Sequence, residues 1–589
     1  MCGIVGYLGQ ERAAPVLLDG LEKLEYRGYD SAGIAVLNGG KFFIVKRKGR
    51  VSELSAARAL AGNCGIGHTR WATHGAPSER NAHPHCFGKI CLVHNGILEN
   101  AAALRAQCLA RGECFSSDTD SEVAAHLIDR CYAQEGDLLR AVQKAAKSFV
   151  GSYALAVLAE GCEEIVCTRM HSPLVVAEGA DGVFAASDLA AVAADGRRAY
   201  VLCDGEFARL KRGKAELFDR TLSPVSRQWI TPGEGERAPE KGAYRHFMRK
   251  EIAEVPQAIE NSLLKHSDQP DFDLCEVLCQ TKYLHIVACG TAYHSGLCMK
   301  HAAEKFAEVP TEVFLASEYR YGDPIVPPGT LTVAVSQSGE TADTLAAAEL
   351  AKRRGSRLIA VVNVPHSSLT RLADGVLFTH AGREIAVAAT KSFNAQLAVL
   401  YSLAAGLAAA RSRPAPSLAG LPVLARETLS SCERVAAWTP YFQGARSVFF
   451  LGRGADRYAA FEGSLKLKEI SYLPSEGYAA GELKHGTLAL VDGRTPVVAL
   501  ICDRALADKT MNAVHEVYAR GAAVFLVTPF EDLCGAKEVT ASVLIPRCEP
   551  AFSPILSVIP LQLLAYHVSL ALGNDPDKPR NLAKSVTVE

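Results

Sequence analysis

The feature that most constrains this chain is a series of continuous apolar runs in its second half, each followed by a longer segment of helical character. Four such runs, YLHIVA, LTVAVS, LIAVVN and GVLFTH, succeed one another between residues 283 and 380. Strands that are apolar without alternation are typical of a parallel sheet covered by helices on both faces. This region therefore predicts an αβα module.

The same order of elements recurs further along the chain. SVFFLG lies near residue 447, PVVALIC near 496, AAVFLV near 522 and ASVLIP near 541. Two tandem modules are the simplest explanation, joined by an Ala-rich helix over 395–410 and a Pro-bearing stretch near 413–422. We place the modules at residues 247–420 and 421–573, followed by a tail at 574–589.

The first 231 residues follow a different pattern, in which short strands alternate with turn residues. GIGHTRW, KICLVHNG and VFAASD are predicted strands, and helical runs lie near 101–111, 120–133 and 138–147. The stretch PGEGERAPEKG has no apolar periodicity, so it predicts a linker, which we place at 232–246. The chain thus begins with a mixed α and β domain at 1–231.

Composition limits the partners and the compartment. The 63 Lys and Arg balance 64 Asp and Glu, and a net charge of -1 predicts no surface for nucleic acid or an anionic membrane. The 18 cysteines show neither CxxC pairs nor Cys/His spacing for a metal, which argues against structural zinc and a disulfide framework. Glu11 and Arg12 interrupt the apolar start, so we predict no export signal and a cytoplasmic location.

One uncharged segment, residues 550–574, has the composition of a membrane span. Pro554 and Pro560 interrupt it and leave Leu561–Gly573 as its longest unbroken apolar helix. Spanning a bilayer takes about 20 residues. We therefore predict a buried helix of a water-soluble module.

The chain begins MCGIVGYLG, with a thiol one residue from its start. Removal of Met1 would leave Cys2 with a thiol and a free α-amine on one residue. The α-amine has an ordinary pKa of about 7.7 to 8.0 and the thiol one of about 8.5, so the neutral amine can accept the thiol proton. The alternative is a cysteine that serves only as a small apolar residue.

Three nearby motifs each allow two interpretations. Asn95 and Gly96 of VHNGILEN can donate to an oxyanion, but Asn-Gly is also the commonest two-residue hairpin turn. Arg70 of HTRWATHG can hold a carboxylate, or it can stack on Trp71 at the surface. Asp120 can bind an ammonium group, or it can cap the helix that follows it.

Taken together, MCGIVGY, EYRGYDSAG, GHTRWATHG, NAHPH, VHNGILEN and TDSEV resemble the glutaminase domain of the N-terminal-nucleophile amidotransferases. The resemblance implies an αββα fold in which Cys2 attacks the side-chain amide of glutamine and Asn95 and Gly96 form the oxyanion hole. It implies that Arg70 holds the α-carboxylate of glutamine and Asp120 its α-amine. The other residues implied around the pocket are Arg27, Trp71, Thr73 and His74.

The loop SQSGET in the second half lies between a predicted strand and a predicted helix. Hydroxyl groups and free backbone N–H groups at a helix N-terminus suit a phosphate dianion, and a simple helix cap explains only one of these polar residues. The corresponding loop of the second module, ICDRALADK, lacks such hydroxyls. Only the first module is therefore predicted to bind phosphate, through Ser336, Gln337, Ser338 and Thr341.

The second module offers ionisable groups instead. FEGSLKLKEISY places Glu462, Lys466 and Glu469 on one helical face, where the alternative is a ladder of salt bridges worth about 0.2 to 0.5 kcal/mol per pair. His485 lies in the Gly-bounded loop GELKHG, and Lys584 lies in the C-terminal RNLAKSVTVE. Both are candidates for acid, base or nucleophilic chemistry.

KGAYRHFMRKEI, ACGTAYHSG, SQSGETADT, LGRGADRYAAFEGSLKLKEISY, YAAGELKHG and PRNLAKSVTVE resemble, in this order, the isomerase half of the glutamine:fructose-6-phosphate amidotransferase family, with its tandem sugar isomerase (SIS) modules. The resemblance implies an enzyme that hydrolyses glutamine, passes ammonia internally, and converts fructose 6-phosphate to glucosamine 6-phosphate. This is the first step of amino sugar biosynthesis, toward UDP-N-acetylglucosamine. A cytoplasmic homodimer that needs neither metal nor organic cofactor is also implied.

The same resemblance implies a role for each candidate of the second half. Glu469 moves a proton between sugar carbons 1 and 2 with the help of Lys466, His485 assists ring opening, and Lys584 forms an imine with the ketose. The residues implied in the sugar-phosphate pocket are Thr291, Ser336, Gln337, Ser338, Thr341, Val387 and Glu462.

The sequence departs from the family pattern at three positions. Ala292 and Ala389 stand where the family usually has hydroxyl residues, and Thr487 stands where proline is common. Each lost hydrogen bond weakens binding by about 0.5 to 1.5 kcal/mol. We expect an effect on sugar affinity rather than on the type of reaction.

Two other functions remain open on the sequence alone. A sugar-phosphate-binding regulator built on SIS modules would carry an inactive glutaminase domain, and retention of Cys2, Arg70, Asn95 and Asp120 argues against it. A phosphoribosyl amidotransferase would share only the first half and would need a phosphoribosyl-diphosphate loop, which we do not find in the sequence.

Overall fold

The computed structural model describes residues 2–194, 196–232, 240–265 and 273–587. The chain divides into two compact units. The first contains the residues up to Glu240 together with the segment that begins at Ala583, and the second contains Lys241–Leu582. Residues 233–239 of the predicted linker lie outside the described part of the chain.

The first unit is built from antiparallel strands and a few helices. Its strands are β1 (Gly3–Gly9), β2 (Ser31–Asn38), β3 (Lys41–Lys48), β4 (Cys64–Arg70), β5 (His85–Phe87), β6 (Ile90–Leu98), β7 (Gly151–Ala159), β8 (Cys162–Met170), β9 (Val175–Gly179), β10 (Gly182–Ala186), β11 (Arg198–Val201), β12 (Phe207–Lys211) and β13 (Lys214–Phe218). Its α-helices are α1 (Ala13–Leu24), α2 (Ala101–Leu109), α3 (Ser121–Glu135), α4 (Leu138–Ala146) and α5 (Leu189–Val192).

These elements form four layers. One sheet has the strand order β11-β9-β10-β1-β4-β2-β3 and the other the order β13-β12-β8-β7-β6-β5. Apolar side chains from both sheets meet between them, among them Ile4 and Ile66 from one sheet and Val93 and Ala156 from the other. Helix α1 packs on the outside of the first sheet, and α3 and α4 pack on the outside of the second. This confirms the predicted αββα architecture.

The second unit contains the two predicted parallel-sheet modules. Its strands are β14 (Tyr283–Ala288), β15 (Thr311–Leu315), β16 (Thr330–Ser336), β17 (Arg357–Val362), β18 (Gly375–Phe378), β19 (Val448–Gly452), β20 (Ser475–Ala479), β21 (Val497–Leu500), β22 (Val524–Thr528) and β23 (Ala541–Leu544). Its α-helices are α6 (Phe247–Ala253), α7 (Val255–Lys265), α8 (Leu274–Gln280), α9 (Gly290–Ala302), α10 (Ala316–Tyr319), α11 (Ala342–Arg353), α12 (Ser368–Leu372), α13 (Lys391–Ala409), α14 (Leu421–Ser431), α15 (Asp456–Ser471), α16 (Ala507–Tyr518), α17 (Glu531–Cys534) and α18 (Pro554–Ala571).

The two sheets have equivalent strand orders, β15-β14-β16-β17-β18 and β20-β19-β21-β22-β23. Every pairing within them is parallel, and each of the eight predicted apolar runs forms one strand. In each sheet the second strand in chain order lies at an edge. The strand order therefore reverses at one point in each sheet, beside β14 and beside β19. In open α/β sheets, ligands bind at the carboxyl ends of the strands that flank a reversal of this kind.

Two long apolar helices of the second unit meet the length and composition of a membrane span. They are Lys391–Ala409 and Pro550–Ala571, and 78% and 83% of their most apolar windows are buried inside the protein. Helix α18 begins at Pro554 and continues through Pro560, so the prediction that Pro560 would interrupt it is wrong. Proline fits the first turn of a helix without loss, and packing of α18 against α15 compensates for the hydrogen bond that Pro560 cannot donate.

One pair of cysteines departs from the sequence expectation. Cys86 and Cys91 are joined by a disulfide bond, and the other sixteen cysteines are free. The two residues lie opposite each other in the β5–β6 pairing, with Cα atoms 4.1 Å apart. The register of a short hairpin, which spacing alone does not reveal, brings them together.

Candidate active sites

Cys2 lies at the start of β1, where Gly3 pairs with Thr69 of β4. This register places the thiol beside Trp71, the residue that follows β4, and the Trp71 N–H donates to Cys2 Sγ at 3.2 Å. Burial raises the pKa of the Cys2 thiol. Formation of the thiolate at neutral pH therefore needs a base nearby. The predicted removal of Met1 concerns a residue outside the described part of the chain.

Asn95 and Gly96 lie within β6 and not in a hairpin turn, since Gly96 pairs with Tyr153 of β7. Gly96 has φ of 134°, and a Cβ atom there would lie 2.7 Å from the carbonyl carbon of Ser152. Asn95 Nδ2 donates to the backbone oxygen of Cys2 at 2.9 Å. The first sheet thus supplies the thiol, and the second sheet supplies the Asn95 amide to the Cys2 backbone and Gly96 to the same cavity.

Arg70 and Asp120 are both buried, and each is held by backbone groups. The Arg70 guanidinium donates to the carbonyl oxygens of His74 and Gly75, the latter at 2.8 Å. Asp120 occupies the N-cap position of α3, but its side chain makes no capping hydrogen bond to the helix backbone, and its carboxylate accepts the Leu98 N–H at 2.9 Å. Neither residue fits its alternative interpretation, as an exposed stacking pair or as a helix cap.

A single cavity brings most of the predicted glutamine site together. It is lined by Cys2, Arg70, Trp71, Thr73, His74, Gly96 and Asp120. Arg27 is placed differently, because its guanidinium forms an ion pair with Asp188 at 2.6 Å. Neither Arg27 nor Asn95 is among the residues that line the cavity.

The same cavity includes residues that were not predicted. His83, His94, Thr119 and Ser121 complete its lining. His94 Nδ1 lies 2.9 Å from Ser121 Oγ, and burial lowers the pKa of both histidines. The sequence did contain a signal for the two histidines, because His83 lies in the motif NAHPH and His94 in the motif VHNGILEN, where neither had an assigned role.

The polar loop Ser336–Thr341 lies at the carboxyl end of β16, beside the point where the strand order reverses. Ser336 Oγ accepts the Gly339 N–H at 3.0 Å and lies 3.0 Å from Thr341 Oγ1. Thr341 is the N-cap of α11, and its side chain makes no capping hydrogen bond. Ser338 Oγ accepts the Glu340 N–H at 3.2 Å. The loop, which also contains Gln337, gathers hydroxyl and N–H groups at one helix N-terminus.

Strand β14 lies next to β16, on the other side of the point where the strand order reverses. It is followed by Thr291 in the first turn of α9, whose hydroxyl contacts residues of the second module. Thr291 Oγ1 donates to Glu462 at 2.9 Å and accepts from Lys466 Nζ at 3.0 Å. Lys466 also lies 2.6 Å from Glu469 and 3.4 Å from Glu462. Burial opposes the ionisation of Glu462, but Lys466 and His294 more than offset it, so the pKa of Glu462 is lowered.

His294 is a further member of this group that was not predicted. Its Nδ1 lies 2.8 Å from Glu462, whose side chain is 0% exposed. The sequence signal was its place three residues after Thr291 in ACGTAYHSG. The ladder interpretation of the helix α15 is incomplete, because Thr291 and His294 reach Glu462 from α9.

Three further predicted residues remain. The Val387 N–H donates to the backbone oxygen of Asp577 at 3.1 Å. His485 is exposed at the end of the short 3-10 helix Glu482–His485, and its ring makes no hydrogen bond within the described part of the chain. Lys584 belongs to the C-terminal segment of the first unit. The roles of these residues stay predictions.

One cluster in the first unit has the composition of a metal site. Ligand atoms of Cys108, Glu113 and His126 lie within 4.8 Å of one another. However, a Glu113 carboxylate oxygen lies 2.6 Å from His126 Nδ1, and the Arg130 guanidinium lies 3.9 Å from Cys108 Sγ. These mutual contacts explain the cluster without a cation.

Comparisons with known proteins agree with this division of the chain. A model of the glutamine amidotransferase domain matches residues 68–194, and a model of the SIS domain matches residues 278–406 and 441–572. The solved C-terminal domain of a glucosamine-fructose-6-phosphate aminotransferase from Francisella tularensis is 38% identical, with a TM-score of 0.56, over 58% of this chain and all of that one. The chain is thus defined as a glutamine amidotransferase domain joined to two SIS domains.

Full-length relatives narrow this class to one family. The chain is 45% identical over 610 residues to the glutamine–fructose-6-phosphate aminotransferase (isomerizing) of Clostridium tetani, and 45% identical over 606 residues to that of Thermus thermophilus. Both alignments cover all of this chain and all of the relative. The chain belongs to this family and is an enzyme. The alternative of a regulator with an inactive glutaminase domain finds no support among these relatives.

Proposed function

We propose that this enzyme takes ammonia from glutamine and uses it to convert fructose 6-phosphate into glucosamine 6-phosphate, with glutamate as the second product. The observation that carries the proposal is that one chain holds two different sites. The first unit has the Cys2 thiol in a cavity that Gly96 also lines, with the Asn95 amide on the Cys2 backbone oxygen. The second unit has a hydroxyl-rich loop at the carboxyl end of β16, and it also has a buried lysine between two carboxylates.

At the first site, the α-amine of a processed Cys2 takes the thiol proton, and the thiolate attacks the amide carbon of glutamine. Asn95 Nδ2 and the Gly96 N–H stabilise the negative oxygen of the tetrahedral intermediate. Stabilisation of this kind is usually the largest single contribution to the catalysis of acyl transfer. The amine returns the proton to the departing ammonia. Water then hydrolyses the thioester to glutamate. Arg70 and Asp120 hold the two α-substituents of the substrate.

At the second site, the loop Ser336–Thr341 holds the sugar phosphate with hydroxyl and N–H groups. Lys584 forms an imine with carbon 2 of the opened ketose with loss of water, and ammonia displaces the lysine amine to give the ketose imine. Glu469 then moves a proton from carbon 1 to carbon 2 while the hydroxyl proton of carbon 1 passes to the nitrogen. This converts the ketose imine into the aldose amine without any change in overall oxidation state. Lys466, close to Glu469, stabilises the charge that develops during the transfer.

The direct test supplies purified protein with fructose 6-phosphate and glutamine labelled with ¹⁵N in its side-chain amide. We expect ¹⁵N-labelled glucosamine 6-phosphate by mass spectrometry. Cys2→Ala abolishes this product but retains synthesis from ammonium chloride. Absence of any amino sugar from the wild-type protein with either nitrogen source would contradict the proposal.

The same proposal places the enzyme in the cytoplasm as a homodimer that supplies amino sugar biosynthesis. The family resemblance is its support. Light scattering of the purified chain tests the dimer, for which we expect twice the chain mass of 62.9 kDa. A monomer that is fully active would contradict it.

A further inference from the structure

The orientation of the Asn95 amide decides whether this residue can serve as an oxyanion donor. An asparagine side chain carries a donating NH₂ group and an accepting oxygen, and only the NH₂ group can stabilise a negative charge. In this structure Nδ2 lies 2.9 Å from the backbone oxygen of Cys2, and Oδ1 lies 3.0 Å from Nε2 of His68. A contact at each end therefore holds the amide in one of its two orientations.

His68 can make this contact only as a donor. Its Nε2 also lies 3.0 Å from the backbone oxygen of His94, so both neighbours of Nε2 are acceptors and the proton must lie on Nε2. The Nδ1 atom is buried and has no hydrogen-bond partner in the described part of the chain. A second proton there would be buried without an acceptor, which is costly. Burial accordingly lowers the pKa of His68 to about 3.

The ring of His68 is also held in place by packing. His68 lies in β4 between Ile4 of β1 and Gly33 of β2, and it is 0% exposed. Its ring packs against that of His83, with centroids 4.0 Å apart and an interplanar angle of 34°. His68 is not among the residues that line the cavity around Cys2. Its ring contacts His83 and the backbone of His94, which do line the cavity, and its hydrogen bond to another side chain is to Asn95.

We propose that His68 is a positioning residue of glutamine hydrolysis, which holds the Asn95 amide with its NH₂ group facing the oxyanion. The hydrogen bond between His68 and Asn95 also joins β4 of one sheet to β6 of the other. The thiol and the predicted oxyanion donors come from these two different sheets. This proposal rests on the proposed glutaminase activity. Its test differs, because it requires a wild-type enzyme that already hydrolyses glutamine.

Two substitutions separate the donor from the shape of the ring. His68→Leu removes the N–H group, whereas His68→Gln retains an amide N–H close to the position of Nε2. Removal of a whole oxyanion donor lowers kcat by about 10²- to 10³-fold. We expect His68→Leu to lower kcat for glutamine hydrolysis by about 10-fold or more with KM for glutamine within about 2-fold, and His68→Gln to recover most of that loss. Equal losses in both variants would overturn the proposal.

A double-mutant cycle with Asn95→Ala decides whether the effect passes through Asn95. In the Asn95→Ala background the amide is absent, so His68→Leu should cause no further loss of kcat. A loss of the same factor in both backgrounds would show that His68 acts independently of Asn95, and the proposal would be wrong. Synthesis from ammonium chloride provides the control, because it should remain within about 2-fold of wild type in every variant.

An aldehyde analogue of glutamine adds a binding measurement. Its adduct with the Cys2 thiol carries an oxygen at the position of the oxyanion, whereas the product glutamate lacks that tetrahedral centre. We expect His68→Leu to weaken inhibition by the aldehyde by the same factor by which it lowers kcat, and to leave inhibition by glutamate unchanged. Equal weakening of both would indicate a general disturbance of the cavity and would contradict a positioning role.

Discussion

The Nζ atom of Lys466 lies 2.6 Å from a carboxylate oxygen of Glu469, which follows it by three residues on α15. The lysine side chain is 1% exposed and also contacts Glu462 from the same helix. Exposed pairs of this spacing contribute only a few tenths of a kcal/mol. Here the lysine is buried between two carboxylates, so removing it would leave negative charge in the interior without a partner.

Replacing Lys466 by methionine tests this relationship. We expect Lys466→Met to abolish amino sugar synthesis, to leave glutamine hydrolysis within about 3-fold of wild type, and to destabilise the second unit by about 3 to 5 kcal/mol, the usual cost of breaking a buried ion pair. Lys468→Met is the matched control, because Lys468 is exposed on the same helix. Synthesis that survives in Lys466→Met with either nitrogen source would contradict a role for this lysine in the second reaction.

The strands of the two modules could be predicted because parallel sheets bury both faces of their inner strands. Two edge strands were missed, Thr311–Leu315 and Ser475–Ala479, with the sequences TEVFL and SEGYA. An edge strand is paired on one side only and is less completely buried, so it needs no continuous apolar run. The order reversal that locates the ligand loops depends on these edge strands, and it became visible only in the structure.

The candidate sites show a similar limit. Motifs and resemblance identified Cys2, Asn95 and Asp120, but they gave no information on which backbone groups hold them. The Leu98 N–H that binds Asp120 joins β6 to the start of α3, and the His68 ring that binds Asn95 joins strands of two different sheets, so both contacts depend on how separate elements pack. Arg27 shows the converse, because its partner Asp188 is 161 residues away in the sequence.

A methyl group at Gly96 tests how closely the second oxyanion donor is fitted. In Gly96→Ala the new Cβ would overlap the Ser152 carbonyl, and φ of 134° is unfavourable for alanine. We expect displacement of the Gly96 N–H and a fall in kcat for glutamine hydrolysis of about 10²-fold or more.

Gly112→Ala is the matched control for that substitution. Gly112 also has a positive φ, of 81°, but a Cβ there meets nothing within 4 Å. Both variants carry the cost of the backbone conformation, and only Gly96→Ala adds a collision with β7. Equal glutaminase activity in the two variants would remove the assignment of Gly96 as a close-fitting donor.

Substitution of Ser336 tests the phosphate loop. Ser336→Ala removes the acceptor of the Gly339 N–H and the partner of Thr341 Oγ1. Loss of one or two hydrogen bonds of about 0.5 to 1.5 kcal/mol each predicts a KM for fructose 6-phosphate that rises by about 2- to 160-fold, with KM for glutamine unchanged. Steady-state kinetics with each substrate varied in turn measures this, and Ser430→Ala, on an exposed surface of α14, is the control. An unchanged KM for the sugar would place the phosphate elsewhere.

Asp456 makes the stability of the second unit depend on pH. It lies in the first turn of α15, where its carboxylate accepts the Cys502 N–H at 2.7 Å and the Ser553 hydroxyl at 2.9 Å. Burial raises the pKa of Asp456 to about 6, compared with about 3.9 in an unfolded chain. The folded state therefore binds the proton more tightly, and protonation stabilises it as the pH falls through about 6. Linkage gives a gain of about 1.4 kcal/mol between pH 8 and pH 5 from this group.

Asp456→Asn removes that dependence while keeping a neutral side chain of similar shape. At pH 8, where the wild-type carboxylate is a buried charge, we expect the variant to unfold at a higher temperature than wild type. At pH 5 the wild-type residue is largely protonated, so the difference between the two proteins should shrink. Calorimetry of both proteins at the two pH values measures the change, and Asp508→Asn, at an exposed position of α16, should show none. A difference in unfolding temperature between wild type and Asp456→Asn that is the same at pH 5 and pH 8 would show that Asp456 does not take up a proton in this range.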